Sequence, residues 1–104
     1  MEKIIRFTIH EKIYTIYDVD KIGGKSTYTG EALYDERLVL IEKGSKEQML
    51  TTLKHELAHV WLHENGHDAQ EGGCFSYEEL CEYIALSSES IMRITELYKQ
   101  KKGW

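Results

Sequence analysis

His55-Glu56-Leu57-Ala58-His59 constrains this chain more than any other five residues. Two imidazoles four positions apart lie one above the other, within reach of each other, when the backbone between them is helical. On that face they can grip a single ion, and HExxH on a helix is the zinc-binding pattern. Glu56 opens toward the same side, where it can take a proton from the attacking water. With the His and Glu content of this chain, the motif has a chance expectation of roughly 3%. Its setting therefore has to separate a site from a coincidence.

The setting is helical. Around residue 45 the apolar period changes from two to 3.6. Ser45 followed by Gln48 fits a capping box with Ser as N-cap. Leu50, Leu53, Leu57, Val60 and Trp61 then form one apolar face, and His55 and His59 project together away from its centre. Asn65-Gly66 is a natural stop. A Gly-rich connection over 66–76 leads to Ser76, which can cap a second helix with Glu79 at the capping-box position. That helix is expected from Tyr77 to about Lys99, with its apolar side centred on Cys81, Ile84, Ser88, Ile91 and Tyr98. The lysines from Lys99 to Lys102 suit a helix C-terminus.

The first half reads as β. Ile4-Ile5-Arg6-Phe7-Thr8-Ile9 and Ile13-Tyr14-Thr15-Ile16-Tyr17 are rich in β-branched and aromatic residues, with a hairpin turn at His10-Glu11-Lys12. Gly23-Gly24-Lys25-Ser26 signals a loop. Further strands are expected at Thr27-Tyr28-Thr29 and Arg37-Leu38-Val39-Leu40-Ile41, with Tyr34-Asp35-Glu36 as the turn between them. The expected fold class is α+β: a small antiparallel sheet of three to four strands, then the motif helix and a second long helix. At 104 residues this is one domain, 1–104.

Charge narrows the partners. A formal net charge of −5 argues against a chain built to coat nucleic acid, so no direct nucleic-acid contact is expected. No apolar run approaches the ~18 residues of a membrane span. The start, Met1-Glu2-Lys3-Ile4-Ile5-Arg6, lacks the apolar core and cleavage site of a signal peptide, which makes a cytoplasmic location the expectation. In a reducing compartment Cys74 and Cys81 are expected as free thiols, Cys81 as a small buried side chain.

Two histidines are not a complete site, because hydrolytic zinc takes three protein ligands and keeps one position open. The candidates are His63, His67, Cys74, Glu78, Glu79 and Glu82. His63 is displaced by about 12 Å along the helix from His55, too far for all three His to converge, and reads as solvent-facing. His67 lies beyond the helix stop. Position 65, where the third His of HExxHxxGxxH would fall, is Asn. Cys74 sits beside Gly72-Gly73. Glu79 has a capping role and points to solvent. Glu78 and Glu82 share a face of the second helix, and geometry leaves both open. Tyr83 lies near that face and reads as a packing residue.

Leu53 to His59 and then Glu78-Glu79-Leu80-Cys81-Glu82-Tyr83-Ile84-Ala85 resemble the ImmA/IrrE family of small metallopeptidases, especially the compact versions carried by phages and mobile elements. In that family a Glu-x-x-Ala-Asn-x-Phe-Ala helix follows HExxH, and its first Glu completes the zinc site. The resemblance implies a minimal zincin-like fold, Zn2+ held by His55, His59 and Glu78, and Glu56 as the catalytic base. Glu82 stands where the family has Asn, which is a departure. The resemblance also implies hydrolysis of a peptide bond in a protein substrate, such as a mobile-element repressor. In zinc proteases of this build an edge strand aligns the substrate backbone, a role that would fall to 37–41 as the strand before the motif helix.

Two other classes compete. One is a non-catalytic, zinc-stabilised domain that binds a protein partner, although structural zinc needs no base such as Glu56. The other is a DNA-associated protease resembling the SprT group, which would call for a third His and a basic surface.

Overall fold

The computed structural model describes residues 1–23, 28–66 and 76–104. Four strands, β1 (Glu2–Ile9), β2 (Lys12–Val19), β3 (Gly30–Leu33) and β4 (Leu38–Glu42), precede two helices, α1 (Lys46–Glu64) and α2 (Tyr77–Lys102). The α+β class matches the expectation. The pairing does not.

The sheet order is β1-β2-β4-β3, and β2 pairs with β4 in parallel, so the sheet is mixed rather than antiparallel. The hairpin of β3 and β4 inserts with β4 inward. The physical reason lies in composition. Leu38-Val39-Leu40-Ile41 is continuously apolar, and Val39 and Ile41 are wholly buried in the centre. The four-residue β3, carrying Gly30 and Glu31, is left at the edge, where short and charged strands discourage further pairing. Of the strand expected at 27–29, residue 27 lies outside the described residues, and the strand that forms is Gly30–Leu33. The role of substrate-aligning edge cannot fall to 37–41, because β4 has neighbours on both sides.

Both helices cover one sheet face. Phe7, Tyr14, Ile16, Val39 and Ile41 meet Met49, Leu53, Leu57 and Val60 of α1 and Ile94 and Tyr98 of α2 in a single core. The β1–β2 turn is tight, with both His10 and Glu11 at positive φ, the backbone that matches strand twist in a two-residue hairpin. His10 is held there by Asn65, 2.9 Å away at the end of α1. Both helix caps follow the sequence. Ser45 accepts from the Gln48 amide, and Ser76 and Glu79 form a reciprocal capping box.

At 26 residues α2 spans about 39 Å, against about 27 Å for an eight-residue strand. It is therefore longer than the sheet it covers. Burial sets in only from Ser87, through Ile94, Thr95 and Tyr98, while Tyr77, Leu80, Cys81 and Ile84 are exposed. Cys81 is thus not the buried thiol that its place in the apolar pattern suggested.

Two polar clusters tie elements distant in sequence. Asp18 in β2 is wholly buried, accepting a 2.6 Å hydrogen bond from the Tyr98 hydroxyl and pairing with the Lys102 ammonium. Glu64 at the end of α1 accepts from the Tyr14 hydroxyl and pairs with Lys12 at 2.8 Å. Burial alone would raise the Glu64 carboxyl, but Lys12 and Tyr14 together hold it below its ordinary value. A carboxyl depressed on folding contributes stability above its unfolded value of about 4.3, and that contribution is lost as pH falls through the lower folded value. Stability measured from pH 6 down to pH 2 should therefore fall less steeply in Glu64→Gln than in the wild type. Parallel curves would remove this assignment.

Candidate active site

The site is built on the middle of α1, where it faces the edge strand. Leu53, Leu57 and Val60 anchor the helix in the core, which turns His55 and His59 outward one turn apart. Their Nε2 atoms lie 3.1 Å apart, with the rings 72° from coplanar. Two imidazole nitrogens bound to one tetrahedral zinc sit about 3.3 Å apart, given Zn–N bonds near 2.05 Å. The pair therefore already has the bite of a zinc chelate. Burial, and then the neighbouring His55, push the His59 imidazole below its ordinary value, toward the neutral form that binds metal.

Glu56 points to the strand side and is 8% exposed. Burial raises its carboxyl; His55 opposes the shift and Glu31 adds to it. His55, Glu56 and His59 open together into a cleft of about 410 Å³ that is walled by β3 through Gly30, Glu31 and Ala32, and by Tyr28 and Tyr34. A larger groove of about 730 Å³ lies between β1 and the end of α2, but it is lined by residues such as Ile5, Thr8, Leu97 and Gln100 and holds no comparable constellation.

Gly30 is the residue that sequence reasoning missed. A β-carbon there would stand 2.5 Å from Thr52 Cγ2, 3.0 Å from Glu56 Cγ and 3.1 Å from Glu56 Oε2. Only glycine lets the edge strand close onto α1 beside the carboxylate. The approach is latched by a 2.7 Å hydrogen bond between the Thr29 and Thr52 hydroxyls. Gly30→Ala should cost about 1–3 kcal/mol through overpacking and, by displacing Glu56, lower any catalytic rate at least tenfold. Thermal melts and kcat/KM on one preparation check both; unchanged activity would mean that Glu56 is not positioned by this contact. The available signal was a glycine at the start of a strand, which marks close backbone approach.

The remaining candidates do not converge. Among the described residues, no three His, Cys, Asp or Glu side chains form a group that could hold a metal ion. Glu78 is exposed on the first turn of α2. Glu79 serves the cap, with its carboxylate accepting from the Ser76 amide and hydroxyl. Glu79 is exposed, as expected, and with Glu82 and Tyr83 it lines a groove against Trp61 and Asn65. His63 is not solvent-facing: it is half-buried, its ring stacked on Tyr34 at 4.0 Å and 9°. It helps to fix a wall of the cleft. Tyr83 donates to the Ala58 carbonyl at 3.0 Å, joining α2 to α1 as a packing residue would. His67 and Cys74 lie outside the described residues.

HExxH thus lies on a helix beside the edge of a small sheet, an arrangement suited to a metallopeptidase-type domain. The chain matches the Peptidase M78 family, described as the IrrE N-terminal-like domain, over residues 10–96, and it belongs to that family. No match was found among the curated proteins or among the solved structures. Family membership supports a peptidase, a hydrolase. Among the described residues, no helix is long and apolar enough to cross a membrane.

Proposed function

We propose that this domain is a zinc-dependent peptidase. The observation that carries the reading is the His55–His59 pair, spaced as a chelate and sharing one cleft with the buried carboxylate of Glu56. In this reading His55 and His59 hold Zn2+ as neutral imidazoles, and Glu78 of α2 supplies the third ligand. Zinc so bound would acidify water and polarise the scissile carbonyl. Glu56 accepts the proton of the attacking water and delivers it to the leaving amine. The outer edge of β3, unpaired among the described residues, aligns an extended substrate by adding it as a strand, with Gly30 keeping that edge close to Glu56. The substrate is a cytoplasmic protein, by family analogy a repressor of a mobile element.

Metal analysis of the purified chain tests the centre. About one zinc per chain is expected, with nearly complete loss in His59→Ala. Zinc-free wild-type protein would overturn the reading. Glu78→Ala and Glu82→Ala then decide the third ligand. In the structure Glu82, rather than Glu78, lines the groove against α1, so affinity lost only in Glu82→Ala would move the assignment one turn along α2.

A further inference from the structure

Glu31 has no task in the reading above. It is exposed at the second position of β3, it lines the cleft with His55 and Glu56, and its side chain forms no salt bridge or hydrogen bond among the described residues. On its inner side β3 is taken up by β4, with Glu31 opposite Leu40. Among the described residues, no strand pairs with the outer side of β3, which is an edge of the sheet.

An extended peptide laid on that edge places one of its side chains directly opposite Glu31, about 5 Å away, with diagonal neighbours at about 7–8 Å. At that separation a carboxylate attracts an ammonium or guanidinium and repels another carboxylate. Among the described residues lining the cleft, the carboxylates are Glu31 and Glu56, and none is Lys or Arg. Glu56 is buried and is assigned above to the proton transfer, so selection by charge falls to the exposed Glu31. The net charge of −5 adds long-range attraction for a basic segment, weakened by salt.

We infer that Glu31 is a specificity residue that selects substrates carrying Lys or Arg at the position opposite it on the β3 edge. This rests on the proposed peptidase function, and it narrows the substrate to a basic extended segment.

Random ten-residue peptides, displayed and selected on zinc-loaded Glu56→Gln protein, test the inference without turnover. Selection should enrich Lys or Arg at one fixed position, by about fivefold over its neighbours. Adding Glu31→Gln should abolish the preference, and adding Glu31→Lys should turn it toward Asp or Glu. Enrichment without a basic position, or a basic position that persists in both variants, would overturn the assignment. Treating the selected peptides with wild-type protein separates the two readings. Charge-selected peptides that bind but stay intact would sink the peptidase and leave the Glu31 assignment standing. Cleavage indifferent to charge would do the reverse.

Discussion

Glu56→Gln is expected to keep its zinc and its fold while losing about 10²–10⁴-fold in kcat/KM, the range that a positioned general base contributes. The substitution is nearly isosteric, so the close packing of Glu56 Cγ against Gly30 survives. What disappears is a proton acceptor. An amide carbonyl is too weak a base to take a proton from water, and an amide cannot hand one to a leaving amine. Glu56 is not one of the proposed ligands, so metal content separates this loss from that in His59→Ala. The measurement is turnover of a cleaved protein or peptide, with zinc content and melting temperature on the same sample. Wild-type turnover in Glu56→Gln would remove Glu56 as the base.

The largest expected effect on stability is at Asp18. Its carboxylate is wholly buried, and its partners Tyr98 and Lys102 stand 80 and 84 positions away in the sequence. Asp18→Ala leaves a phenol without its acceptor and a largely covered ammonium without its counter-charge. Removing one member of such a pair costs about 3–5 kcal/mol. A domain of this size holds only about 5–15 kcal/mol in total, so the melting temperature should fall on the order of 15 °C. Tyr98→Phe should cost less, about 1 kcal/mol, because Lys102 still pairs with Asp18. Burial, reinforced by the Asp18 carboxylate, pushes the Tyr98 phenol far above its ordinary value, so this hydroxyl stays a donor throughout the physiological range. A melt of Asp18→Ala within a few degrees of wild type would show that the cluster is not a tie between sheet and helix.

Much of the local structure could be read directly. Ser45 and Ser76 cap their helices as their spacing to Gln48 and Glu79 implies, because a cap is satisfied within four residues. Asn65-Gly66 ends α1 for an equally local reason, with Gly66 at positive φ. The two His of the motif share one face because a helix stacks positions four apart.

What failed to read were choices between partners. Strand periodicity reports which face is buried, not which neighbour supplies the hydrogen bonds, so the parallel pairing of β2 with β4 was out of reach. The same blindness misplaced the edge strand. Cys81 and Ile84 follow the helical apolar period, yet α2 exceeds the sheet in length and leaves them exposed. His63 had no sequence signal for its stack on Tyr34, because the two residues are neither neighbours nor one helical turn apart.

The sequence by itself determined the helices, the class, the outward His pair and the glutamate between them, since each depends on contacts within a turn or two of chain. The tertiary structure decided which strand borders that pair, that Gly30 must be a glycine for the strand to close on Glu56, and that Glu31 stands on the open edge of the cleft. These depend on sheet order, which the whole core sets by burying Val39 and Ile41 at its centre and leaving the short, charged strand outside.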